Sequence, residues 1–84
     1  MKNIIIVTQD KKIRLNYNNI VCLGIEESYY KGELKEWCIK AKTIGGSHLF
    51  ILGSYPSEYV CADVLNRITD EIINGVEYIE VPER

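Results

Sequence analysis

The feature that most narrows what this chain can become is the spacing of apolar residues after Pro56. Cys61, Val64, Leu65, Ile68 and Ile72 recur at intervals of three and four, which places them on one stripe of a helix. Asp63, Asn66, Arg67, Asp70 and Glu71 take the opposite stripe. The ends agree. Proline disfavours helical geometry in the residue before it, which leaves Tyr55 in the preceding segment, and the Ser57 hydroxyl can accept a hydrogen bond from an unpaired amide of the first turn. Glu58 stands where the positive end of the helix dipole favours an anion, and Asn74-Gly75 tolerates the left-handed conformation in which helices end. One helix over about residues 57–74 is predicted.

A single helix cannot build a core alone. With 84 residues, 46% of them hydrophobic and 26% charged, the chain is one domain, 1–84. At that size burial only narrowly outweighs chain entropy, so the helix must share its apolar stripe with a sheet or with another subunit.

Strand patterns supply the sheet. Ile4 to Thr8 and Lys12 to Tyr17 form a predicted hairpin in which Gln9 lies opposite Lys12, Ile6 opposite Leu15 and Thr8 opposite Ile13. That register gathers Ile4, Ile6, Ile13, Leu15 and Tyr17 on one face, with either a two-residue Asp10-Lys11 loop or a four-residue loop of the same parity. Asn16 to Asn19 is a turn cluster whose amide side chains bond the local backbone. Ile20 to Glu26 follows as a strand, with Val21, Leu23 and Ile25 on one side and Cys22, Gly24 and Glu26 on the other. Glu27 to Leu34 has no steady period and reads as an exposed loop. Its Tyr29 and Tyr30 are a candidate recognition pair, unless one of them packs back on the domain edge.

Glu36 to Thr43 alternates most cleanly, and Gly45-Gly46 supplies a hairpin turn with Ile44 opposite Ser47. Ala41 then faces Phe50 and Ile39 faces Leu52, so Trp37, Ile39, Ala41, Phe50 and Leu52 make the surface that receives the helix. The other face sets Lys40 opposite Ile51 and Lys42 opposite Leu49, with lysine stems lying over the aliphatic side chains. Cys38 shares that outward face. Val76 to Val81 is a final edge strand ending at Pro82. The expected fold is α+β, an antiparallel sheet of five to six strands, curled and packed on the one C-terminal helix.

Chemistry is thinly represented. Cys22, Cys38 and Cys61 are an odd count with no paired spacing, which argues for reduced thiols, Cys22 and Cys61 acting as small hydrophobes. His48, the single histidine, sits opposite Thr43 at the turn end, whereas Cys38 lies about five residues away along the strand, well over 10 Å at about 3.3 Å per residue. No catalytic dyad, metal site or cofactor is expected. Gly53-Ser54 leading into Ser57 is a candidate anion site at the helix start, built on Ser54 and Ser57. No apolar run spans a bilayer, and MKNIIIV is too short for a secretory signal, so a cytoplasmic location without membrane contact is expected. A net charge of −2 without a basic stripe makes nucleic acid a poor partner.

The segments Ile6 to Ile20, Ile39-Lys40-Ala41 and Leu52 to Ile68 resemble a group of short, uncharacterised proteins of low-GC Gram-positive bacteria and their mobile elements. The shared pattern is Leu-Gly-x-Tyr, then a small hydroxyl residue before the helix, then Ala and Leu upon it; here it falls on Leu52, Gly53, Tyr55, Ser57, Ala62 and Leu65. The resemblance implies a pleckstrin-homology-like layout, a curled antiparallel sheet closed by a C-terminal helix. This chain has about five strands before the helix where that layout has seven. It carries no catalytic residue across.

The function expected is that of a small non-catalytic interaction module working through a protein partner or a homodimer, with Leu49, Ile51, Lys40, Lys42 and Cys38 as its interface. Two alternatives stand beside it. One is a small enzyme or enzyme subunit, using Cys38 as a thiol nucleophile or a site completed across an oligomer. The other is a regulatory subunit that binds a small anion at the helix N-terminus.

Overall fold

In the computed structural model, which describes residues 3–46 and 48–83, six strands and one α-helix follow one another along the chain. They are β1 (Ile5–Val7), β2 (Arg14–Asn16), β3 (Ile20–Tyr30), β4 (Glu33–Thr43), β5 (Leu49–Tyr55), α1 (Glu58–Ile73) and β6 (Tyr78–Glu80), with a short 3-10 turn at Tyr17–Asn19. The fold is α+β, as expected, but the strands form two three-stranded sheets in place of a single curled one. Sheet A has the order β2-β1-β6 and sheet B the order β3-β4-β5. The division falls where the asparagine cluster predicts a turn. The Asn16 side chain accepts from the Asn18 amide at 2.9 Å, and this tight turn carries the chain out of sheet A and into sheet B.

Sheet A keeps the expected hairpin register, with Ile6 opposite Leu15 and Thr8 bonded through its amide to the Ile13 carbonyl at 2.9 Å. The four-residue loop is the one adopted. Thr8 donates its hydroxyl to Asp10, and Asp10 accepts also from the Lys12 amide; the two bonds hold the Asp10 carboxyl below the usual range, the Thr8 bond first. Lys11 takes the left-handed conformation there, with φ of 64°. The C-terminal strand β6 is an edge strand, as expected, and pairs with β1 in parallel.

Sheet B departs from simple alternation at three places. A bulge at Val21 turns that side chain outward, so Ile20, Leu23 and Ile25 are the β3 residues that pack on the core. The segment 27–34 is not a loop. β3 and β4 run on to a two-residue turn at Lys31-Gly32, whose φ values of 52° and 80° are the positive pair that a tight hairpin demands. The third irregularity follows Lys40. Lys42, Ala41 and Lys40 meet Leu49, Phe50 and Ile51 as expected, but Ile39 then meets Gly53, because Leu52 is bulged. The Ile44–Ser47 pairing lies outside the described residues.

The helix follows its sequence signals closely. Ser57 caps it, accepting from the Val60 amide at 3.2 Å. At the other end Val76 donates to Glu71 and Gly75, with φ of 74°, donates to Ile72, which closes the last turn with a left-handed glycine. Cys61, Val64 and Ile68 are buried, while Leu65 and Ile72 flank them partly exposed. α1 packs mainly on β4 and β5. The core draws on all three layers: Ile4, Ile6, Leu15, Ile79 and Val81 from the sheet A side, Ile39, Ala41, Leu52 and Tyr55 from sheet B, and the three helix residues.

Gln9 joins the sheets. Its amide nitrogen donates to the Leu52 carbonyl at 2.7 Å, and its side chain both accepts from the Ser54 amide at 3.0 Å and donates to the Ser54 carbonyl at 3.2 Å. The side-chain amide thus acts as a stand-in peptide unit along the edge of β5, satisfying backbone groups that would otherwise need water or a neighbouring strand.

Tyr55 closes the same region. It is 1% exposed and donates its hydroxyl to the Pro82 carbonyl. Burial, with a smaller contribution from Cys61, pushes its phenol up to about 12. An unfolded tyrosine titrates near 10, so the folded chain keeps a proton that the unfolded chain releases. The resulting stability is whole below about pH 10 and is lost as pH climbs through about 12. Tyr55→Phe is expected to flatten the fall in chemical denaturation midpoint between about pH 10 and 12. An identical fall in both proteins would mean that Tyr55 does not contribute it.

Candidate interaction surfaces

The solvent face of sheet B follows from the pairing. Directly opposed residues share a face, so one row across the sheet reads Cys22, Lys42, Leu49 and the next reads Gly24, Lys40, Ile51. Leu49 and Ile51 are each 52% exposed, which keeps them out of any closed barrel interior. Lys40 leans on Glu26 with Nζ to Oε2 at 3.2 Å, while Lys42 has no ion-pair partner among the described residues. Two of the expected interface residues, Leu49 and Ile51, are therefore brought together with the two expected lysines.

Cys38 is the exception. It is 1% exposed, with its sulfur 3.3 Å from the Ser54 hydroxyl. Strand parity places it with the outward residues, but the bulge at Leu52 brings Ser54 opposite it in place of Gly53, and Gln9 lies along that end of β5. The outward thiol is Cys22 instead, which the alternation read as a small hydrophobe. Burial, then Cys38 and Glu58, raise the Cys61 thiol above its ordinary value. Under native conditions a brief pulse of maleimide should label Cys22 alone, with Cys38 and Cys61 reacting only on unfolding. Peptide mapping that found Cys38 modified as fast as Cys22 would contradict this burial.

Tyr29 and Tyr30 stand at the far end of β3. Beyond the Trp37–Tyr55 pair β5 ends, so residues 28–36 continue as a two-stranded ribbon. Tyr29, Tyr30 and Leu34 are exposed there. The Tyr29 hydroxyl donates to the Glu27 carboxylate, and that bond holds the phenol above its ordinary value. The Lys31 ammonium lies 5.4 Å from the centre of the Tyr30 ring, within the range of a cation–π contact. A recognition pair in a loop is thus replaced by two aromatics on a protruding hairpin.

At the helix start, Ser57 is engaged as the cap, and the Ser54 amide and hydroxyl face Gln9 and Cys38. Glu58 adds a negative charge in the first turn. His48 is exposed beside β5, at the opposite end of the strand from Ser54 and Cys38. The Gln9 bridge is a feature that sequence reading missed: a single glutamine in a loop has no local signature, and its role exists only once β5 lies beside it. No helix among the described residues is long and apolar enough to cross a membrane.

No family model matches this chain, and neither a curated protein nor a solved structure does.

Proposed function

We propose that this protein is a small non-catalytic interaction module that acts through sheet B, by way of a protein partner or of self-association. The observation that carries the reading is the solvent face of β4 and β5, where Leu49 and Ile51 stand half-exposed beside the stems of Lys42 and Lys40. Aliphatic side chains flanked by cations favour a protein surface that combines apolar and acidic groups. We keep with this reading a cytoplasmic setting, without nucleic acid or membrane, and the kinship with short Gram-positive proteins of pleckstrin-homology-like layout. The reading of Cys38 as a nucleophile is less well supported, because a buried thiol next to a serine hydroxyl lacks the access that catalytic cysteines have.

Ile51→Glu tests the reading. The site is half-exposed, so the change should move stability by no more than about 1 kcal/mol while placing a charge on that face beside Leu49. Complexes that the wild type forms with a partner in a lysate of source cells should be lost with Ile51→Glu and kept with Thr69→Glu on the exposed side of α1. A partner that stays bound to Ile51→Glu unchanged, or a wild type that neither captures a partner nor self-associates, would refute it.

A further inference from the structure

We infer that a second copy of this chain pairs antiparallel with β3 about a twofold axis through Gly24, making one six-stranded sheet from two copies of sheet B. This rests on the reading of sheet B as the working surface and names both the partner and the edge it uses. The other long edge of sheet B is already occupied, since Gln9 lies along β5. β3 has no such cover. It is 11 residues long, lies at the edge and is hydrogen-bonded as a strand only to β4 among the described residues. Natural edges of that length are normally shortened, covered or interrupted by proline.

The register is set by what must face what. With Gly24 opposite its own copy, Leu23 meets Ile25 of the second copy and Ile25 meets Leu23. Both residues pack on the core side, so the apolar inner face runs unbroken from one copy into the other. On the solvent face Cys22 meets Glu26 of the second copy, which puts that carboxylate in the row of Lys42. Two strand spacings, about 10 Å, separate them, a gap that extended lysine and glutamate side chains span across the small cysteine. Lys42 thereby shares the Glu26 carboxylate that Lys40 of the second copy contacts, and by symmetry it does so twice.

Shifting the pairing by two residues loses this match. One direction sets Leu23 against Glu27, and the other carries Glu26 past the bulge at Val21 to Ile20. The ends of the edge are complementary as well. In the Gly24 register Tyr29 and Tyr30 of each copy reach the chain at Asn19 and Asn18 of the other. That is where Ile44 is tied by its amide to the Asn19 carbonyl at 2.8 Å, and where Val21 turns outward. Val21, Ile44, Tyr29 and Tyr30 are each 58–67% exposed in the single chain. Pairing brings the two exposed apolar groups together at both ends of the edge. Gly24 itself fits the axis: nothing lies within 4 Å of a Cβ built there, and a glycine inside a strand suits close approach of another backbone.

The test uses a cysteine at the axis. In a Cys22→Ser background, Gly24→Cys puts two thiols directly opposite, at the Cα separation of about 4.5–5.5 Å that a disulfide accepts. Native Cys22 is the control, exposed on the same face but about 14 Å from its copy in this register, four residues along the strand. The native chain should sediment at twice its 9.7 kDa mass at about 100 µM, and oxidised glutathione should convert Gly24→Cys to a covalent dimer while leaving wild type uncrosslinked. A native monomer at that concentration overturns the pairing, whatever the variant does. So does a dimer in which Cys22 crosslinks as readily as Gly24→Cys. The interaction reading itself is decided separately by Ile51→Glu, which lies away from the β3 edge.

Discussion

Ile68→Ala is expected to lower the unfolding free energy by about 2–5 kcal/mol, a large share of what a domain this small holds. Ile68 is 1% exposed at the centre of the helix stripe, between Cys61 and Val64 on one side and Ile72 on the other. Removing three buried carbons there leaves a cavity in the shared core, which a rigid strand framework cannot close. Leu65, which periodicity alone places mid-stripe, lies at its margin and is partly exposed. Leu65→Ala should therefore cost less, below about 2 kcal/mol. Urea midpoints for the two variants check the order, and a greater loss for Leu65→Ala would show that the helix is rotated relative to this packing.

Gly53→Ala should be nearly as damaging, by about 1–3 kcal/mol, through overpacking in place of a cavity. A Cβ at this position would stand 2.9 Å from the Tyr55 hydroxyl oxygen, 3.0 Å from Val81 Cγ1 and 3.1 Å from Tyr55 Cε2. None of these atoms yields easily, since Tyr55 and Val81 are buried and the phenol is tied to the Pro82 carbonyl. For a domain of this size each kcal/mol corresponds to roughly 4–8 °C in Tm. Tyr55→Phe in the Gly53→Ala background removes the nearest atom and should recover part of the loss. A thermal melt of Gly53→Ala that matched wild type would show that the ring does not lie over the glycine.

The Gly53–Tyr55 contact also gives a physical meaning to the Leu-Gly-x-Tyr pattern. Two residues apart on a strand, the positions share a face, and an aromatic ring folded over its neighbour leaves room there only for hydrogen.

The helix and the first hairpin were readable because their signals are local and agree. Ser57, Asn74 and Gly75 mark the helix ends, and the Ile6–Leu15 register follows from alternation alone. The Lys40–Ile51 and Lys42–Leu49 pairs were equally legible. Beyond them the bulge at Leu52 changes the count by one residue, a choice made by the packing of Tyr55 and Gly53 against Val81 and invisible to a period of two. Cys38 was misplaced for that reason and because its cover comes from far along the chain. The 27–34 segment concealed its strands because a ribbon exposed on both sides has no apolar face to alternate with. The division into two sheets was hidden as well, since β1, β2 and β6 have only three residues each and the pairing of β6 with β1 is set by contacts distant in sequence.

The parallel pairing of β1 with β6 orders events in time. β1 is made before the other described strands, yet its central place in sheet A is complete only when β6 arrives beside it. Until then its free side and the seats of Ile79 and Val81 stay open, and the Tyr55 hydroxyl lacks the Pro82 carbonyl. Joining β1 to β6 closes the longest loop among the described strand pairings, an entropic step that local hairpins avoid. Sheet B, assembled from consecutive hairpins, is free to form early. β6 is then the last strand whose pairing the chain can complete.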